Sequence, residues 1–139
     1  MSYPITLSLS AGACTPMVDF DYSARRLALT GESWPENAAA FYRPLQTDLD
    51  LWLKDTAGQA LAPIELHVSL SYFNSSSTKM LFGLFERLHQ DAQAGVEVVM
   101  HWYHDEEDDI SQEFGEELQD DFPAFQFQLH TGLRQHETS

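Results

Sequence analysis

Positive charge is scarce in this chain. Seven Lys plus Arg stand against 22 Asp plus Glu, giving a formal net charge of −15 over 139 residues. A surface of that sign repels phosphate backbones and anionic headgroups, so nucleic acid and membrane surfaces are not expected partners. Cysteine is nearly absent: Cys14 cannot make an internal disulfide, and with no base near it in sequence it has little of a catalytic thiol about it. No apolar stretch approaches the roughly 20 residues of a membrane span. The first residues also lack the charged start and long apolar run of a signal peptide, so a soluble cytoplasmic protein is expected. A Walker-type glycine and lysine arrangement, the glycine-flanked serine of a nucleophile elbow and the spacing of a calcium loop are missing too. The expectation is therefore a protein that is not an enzyme and carries no cofactor.

What is present suffices for one core. Hydrophobic residues make up 43% of the chain and aromatics 12%, enough for a single domain of this length. Residues 1–16, rich in small and hydroxyl side chains, read as a loose lead-in; 17–131 read as the domain and 132–139 as a tail. From Met17, Val18, Phe20 and Tyr22 alternate with Asp19 and Asp21. A turn near Ser23-Ala24 follows, then Leu27 and Leu29 opposite Arg26 and Ala28, which predicts a hairpin. Ile64, Leu66, Val68, Leu70 and Tyr72 form one face of a clear strand, with Glu65, His67, Ser69 and Ser71 on the other. Two more strands follow: Val96, Val98, Met100 and Trp102 against Glu97, Val99, His101 and Tyr103, then Phe125, Phe127 and Leu129 against Gln126, Gln128 and His130.

Three helical patterns separate the strands. The first opens on Ser33-Trp34-Pro35-Glu36, which has the form of a capping box, and runs through Phe41, Leu45, Leu49 and Trp52. Pro44 either kinks it or marks a second start. The second runs from about Thr78 to Ala94, buries Leu81, Leu84, Phe85 and Leu88, and ends at Gly95. The third spans about 109–119 with Ile110, Phe114 and Leu118 on one stripe. The strand–helix–strand unit over 64–103 requires parallel pairing. Because every strand keeps a polar or mixed face, the fold class is α/β: a single two-layer domain whose mixed sheet of about five strands carries helices mainly on one face.

The run Tyr72-Phe73-Asn74-Ser75-Ser76-Ser77-Thr78-Lys79 lies where the clearest strand gives way to a helix. Hydroxyls there can cap the helix, cradle a phosphate at its positive end, or accept one. It is one of three blocks, with Gly31-Glu32-Ser33-Trp34-Pro35-Glu36-Asn37 before it and His101-Trp102-Tyr103 plus an acidic run after it. In this order and spacing, over roughly 17–130, the blocks resemble the SiaC family of bacterial regulatory phosphoproteins.

The resemblance implies a fold like that of anti-sigma-factor antagonists (STAS-like) and a partner switch. In the family's best-known member, a Ser/Thr protein kinase of the anti-sigma-factor-kinase type phosphorylates the protein and a PP2C-type phosphatase reverses this. The unphosphorylated form activates a diguanylate cyclase, raising cyclic di-GMP and favouring biofilm growth. The acceptor threonine of that member falls on Ser75, a departure that keeps the hydroxyl. Ser76 is the alternative, Ser77 and Thr78 are assigned to the cap, and Asn74 and Lys79 complete the surroundings. An output protein other than a cyclase is the alternative role.

A metal protein is the rival class, built on His101-Trp102-Tyr103-His104-Asp105-Glu106-Glu107-Asp108-Asp109. If the strand persists, His101 and His104 project to opposite faces and cannot converge on one ion. The acidic stretch reads as a solvated loop leading into the third helix. His67, Ser69, Glu97 and His101 are expected on the wet sheet face, and Trp34 with Pro35 as a packing anchor.

Overall fold

In a computed structural model, which describes residues 6–59 and 61–132, six strands and three helices alternate in a simple order. They are β1 (Thr6–Leu9), β2 (Met17–Asp21), β3 (Arg26–Ser33), α1 (Ala38–Asp55), β4 (Ile64–Phe73), α2 (Ser75–Gln93), β5 (Val98–His104), α3 (Asp109–Asp121) and β6 (Gln126–Thr131). The strands lie in the sheet in their sequence order. β1, β2 and β3 pair antiparallel, and β3 to β6 pair parallel through the three helices. This is the expected single two-layer domain with one difference in strand number. Thr6–Leu9, in the segment expected to be loose, pairs with Val18–Asp21 as an added edge strand. Of the expected tail, residues 133–139 lie outside the described residues.

The core lies on one face of the sheet, as the alternation predicts. Val18, Phe20, Leu27, Leu29, Ile64, Leu66, Val68, Leu70, Val98, Met100 and Trp102 meet Tyr42, Leu45, Leu49 and Trp52 of α1, Leu81, Leu84, Phe85 and Leu88 of α2, and Leu118 of α3. Side chains of this size each contribute about 1.5–3 kcal/mol when fully buried, so this face holds the domain together. α1 and α2 are tied at their outer surface by Arg87, whose Nε donates to Asp50 at 2.7 Å and whose second nitrogen reaches Asp91 at 3.1 Å. No helix among the described residues is long and apolar enough to cross a membrane.

Four local readings of the sequence are corrected. Asn37, not Ser33, caps α1 by accepting from the Ala40 amide, and the helix runs unbroken past Pro44. Ser33 instead ends β3 and is fully buried. Trp34 is 44% exposed and is no packing anchor; Pro35 is the buried member of that pair. In α3, Ile110 is 81% exposed, while Ser111, Gly115 and Leu118 take the inward stripe. Asp108 caps this helix by accepting from the Ser111 amide, which fixes its first turn with Ser111 inward and Ile110 outward.

The fourth correction concerns the end of β4. Between Gly31 and Glu32 the β3–β4 register shifts, so Gly31 pairs with Leu70 but Glu32 pairs with Tyr72. Ser71 is the extra residue on β4, and Gly31 adopts φ 119°, a conformation open to glycine. The bulge inverts the alternation beyond it. Tyr72, expected in the core, is 54% exposed, and Phe73 turns inward against Trp102 and Phe114.

Candidate functional site

The β4–α2 junction is built by Asn74. Its backbone is extended at φ −94° and ψ 177°, and its amide donates to the Ser33 carbonyl at the end of β3. Its side-chain oxygen accepts from the Ser77 amide at 2.9 Å, and its carbonyl accepts from the Thr78 amide at 2.9 Å and the Thr78 hydroxyl at 3.1 Å. α2 therefore starts at Ser75, three residues before the apolar spacing predicts. The cap is Asn74, not the pair Ser77 and Thr78.

That start sorts the hydroxyls by direction. Ser75 and Ser76, the first two helical residues, are exposed; Ser77 is fully buried and Thr78 half-buried. The Ser33 hydroxyl donates to Ser77 Oγ at 2.7 Å and is itself 2.6 Å from the Tyr42 hydroxyl, so a buried chain of three hydroxyls joins α1, β3 and α2. With Ser33 donating to Ser77, Tyr42 donates to Ser33. Burial pushes the Tyr42 phenol up to about 12, which keeps it a donor at any ordinary pH. The hydroxyl chain fixes the orientation of the first turn, leaving the Ser75 side chain at the surface above the C-terminal end of β4.

The electrostatics of the turn suit an anion. The amides of Ser75 and Ser76 belong to the first helical turn, where no intrahelical carbonyl precedes them, and they carry the positive end of the α2 dipole. No acidic residue occupies that first turn. Lys79 is exposed one turn further on. Across the same edge stand Glu32, which accepts from Trp34 Nε1 at 2.9 Å, and the loop Asp105–Asp108 after β5. Of the six large apolar side chains exposed among the described residues, Trp34, Tyr72 and Ile110 follow or end the adjacent strands β3, β4 and β5 at this edge.

Sequence reasoning groups Asn74 to Lys79 correctly as one turn but misses Ser33 and Tyr42 as its buried support. Identical-looking serines carry no signal of direction until the helix start is known. On the opposite sheet face, His67 and His101 stand as expected, Ser69 is buried, and Glu97 precedes β5 and accepts from Gln126 at 2.9 Å. His104 occupies the buried side of β5, away from His101, as the strand periodicity requires.

Known proteins share this fold. Residues 9–132 match the SiaC family regulatory phosphoproteins. An uncharacterised protein of Pseudomonas aeruginosa strain UCBPP-PA14 is 33% identical over 118 residues, covering 84% of this chain and 90% of that one. SiaC of Pseudomonas aeruginosa, crystallised as the activator of the diguanylate cyclase SiaD in complex with it, superposes with a TM-score of 0.77 at 27% identity, over 91% of this chain and 99% of that one. Its apo form superposes with a TM-score of 0.75 at 26% identity, over 94% and 100% of the two chains. By the extent of the sequence match and the agreement in fold, the chain belongs to the SiaC family of regulatory phosphoproteins.

Proposed function

We propose that this protein is a phosphorylation-controlled activator of a diguanylate cyclase, with Ser75 as the acceptor. The observation that carries the site assignment is the division of the hydroxyl run: Ser75 and Ser76 face solvent while Ser77 is held inside by Ser33. Ser75 is the first helical residue, so its backbone amide and that of Ser76 are in place to meet a phosphate on its side chain. The cyclase as output rests on the likeness to the SiaC that activates SiaD.

The switch follows from charge at a contact edge. A phosphoryl group adds roughly −1.5 to −2 charge and three strong acceptors. It places a strongly hydrated anion at the sheet edge that carries Trp34, Tyr72 and Ile110 together with Glu32 and the Asp105–Asp108 loop, and a partner docking there must then bury or displace it. A kinase of the anti-sigma-factor-kinase type writes the mark and a PP2C-type phosphatase removes it. The unphosphorylated form is the activating one.

Two measurements test the reading. Incubation with the cognate kinase and ATP, followed by mass spectrometry, should place the phosphate on Ser75; phosphate on Ser76 instead would move the site by one residue. Ser75→Ala should bind and activate the cyclase constitutively and Ser75→Asp should not. Equal activation by both variants would remove Ser75 as the switch.

A further inference from the structure

The open face of the sheet carries a histidine cluster that the phosphorylation turn does not use. Glu65 and His67 project from β4, His101 and Tyr103 from β5, and His130 from β6; His67 and His101 are direct register partners, as are Tyr103 and His130. The His67 and His101 rings stack at 4.4 Å with 5° between their planes. His101 Nε2 lies 2.6 Å from Glu65 Oε1, and His101 Nδ1 lies 2.9 Å from His130 Nε2. His67 Nδ1 lies 2.9 Å from the Tyr103 hydroxyl. One ligand atom from each of Glu65, His67 and His101 falls within 4.8 Å of the others.

We propose that Glu65, His67 and His101 form a binding site for a divalent transition-metal ion, with zinc as the reference ion. Two imidazoles and one carboxylate are a borderline-soft donor set of the kind that binds zinc with a fourth position left to water; calcium and magnesium prefer all-oxygen sites. Zinc–nitrogen and zinc–oxygen bonds of about 2.0–2.2 Å put tetrahedral donors roughly 3.3 Å apart. The three donors, lying within 4.8 Å of one another, need to close by as much as about 1.5 Å, with the two ring planes tilting so that both lone pairs meet the ion, within reach of χ rotations. Stacked rings bar the ion from the space between their faces. It sits at their edges, where it takes the place of the proton shared by His101 Nε2 and Glu65 Oε1.

The supporting partners match what such a site requires. A metal-bound imidazole donates its other ring N–H to an acceptor that fixes its orientation. With Nε2 on the ion, His101 Nδ1–H points at His130 Nε2 and His67 Nδ1–H at the Tyr103 oxygen. The His101 side chain is 12% exposed and that of Glu65 41%, so one ligand is shielded and the other is open to exchange. A net charge of −15 adds a long-range attraction for any cation.

Calorimetric titration of untagged, chelator-treated full-length protein with zinc chloride tests the site. One ion per chain should bind in the micromolar range or tighter, magnesium chloride should give no comparable binding, and cobalt should give the intense visible bands of a tetrahedral centre. His67→Gln with His101→Gln should abolish binding while leaving the circular dichroism spectrum intact, and His130→Gln should weaken it about 10–100-fold. Asp105→Asn with Glu107→Gln should leave it unchanged. Absence of saturable micromolar binding, or binding retained in the double histidine variant, would overturn the assignment.

Discussion

Replacing Ser77 by alanine should destabilise the protein although its neighbours Ser75 and Ser76 tolerate the same change. In the wild type the buried Ser33 hydroxyl donates to Ser77 Oγ at 2.7 Å, and Ser33 is fully buried. Ser77→Ala leaves that hydroxyl without its acceptor and away from water, a loss of about 1–3 kcal/mol. Alanine's better helix propensity returns up to about 0.5 kcal/mol. The net cost is roughly 0.5–2.5 kcal/mol. For a chain of 139 residues the unfolding entropy near the midpoint is about 0.3 kcal/mol/K, so Tm should fall by roughly 2–9 °C. Ser75→Ala removes an exposed hydroxyl and should stay within about 0.5 kcal/mol, or under 2 °C. Adding Ser33→Ala to Ser77→Ala removes the stranded donor as well, so the double variant should lose less than the sum of the singles. Thermal and urea melts followed by circular dichroism compare the wild type with Ser75→Ala, Ser77→Ala, Ser33→Ala and the double variant. A Ser77→Ala variant as stable as wild type, or a native protein phosphorylated at Ser77 as fast as at Ser75, would refute the division of the hydroxyl run into a structural and an addressable half.

Asn74→Ala removes the acceptor for the Ser77 amide and should cost about 0.5–2 kcal/mol in a urea melt, with fraying confined to the first turn of α2 by hydrogen exchange. The Arg87 hydrogen bond, with help from Lys54, holds the Asp50 carboxyl below its ordinary value of 3.8. Its contribution is complete above that value and disappears as pH falls through the lower folded-state value. The Asp50 side chain is 35% exposed, so the effect is small after screening. Stability measured from about pH 5 downward should therefore fall slightly less steeply in Arg87→Met than in wild type. Gly115→Ala would normally strengthen a helix by about 1 kcal/mol. Here the added Cβ meets Trp102 Cδ1 at 2.6 Å and Leu129 Cδ2 at 2.7 Å, and Trp102 is fully buried, so the sign reverses to a loss of about 1–3 kcal/mol in thermal melts.

Periodicity made the sheet legible. The strands β2 to β5 keep their large core side chains on one parity as far as the bulge in β4, and burial there is strong enough that tertiary context does not override the pattern. Helix stripes were equally plain in the second helix, where Leu81, Leu84, Phe85 and Leu88 recur at helical spacing. What escaped were positions set by a single geometric event. The bulge opposite Gly31 reverses parity for Tyr72 and Phe73, and no run of side-chain types announces an extra residue in a ladder. Short hydroxyl side chains were ambiguous for a related reason: serine is acceptable at the cap, in the first turn and in a buried hydrogen bond, and only the backbone decides among these. The histidine cluster was half visible. His67 and His101 fell on the same face by alternation, but their being side by side, with His130 next to them, depends on register between strands far apart in sequence.

The strand order has a consequence for how the chain reaches this state. Among the described residues every strand pairs only with the strands immediately before and after it in sequence, so no early strand waits for a late one to complete its ladder. A chain emerging from the ribosome can close the β1–β2–β3 meander first, then add one helix and one strand at a time to the same growing edge. At each step the newest parallel strand is exposed along one side only until its successor arrives. The last to arrive is β6, whose side chains are the least buried of the parallel strands. Its docking shields the β5 edge, so the window in which nascent chains can pair with one another through that edge closes only when the final strand has left the exit tunnel.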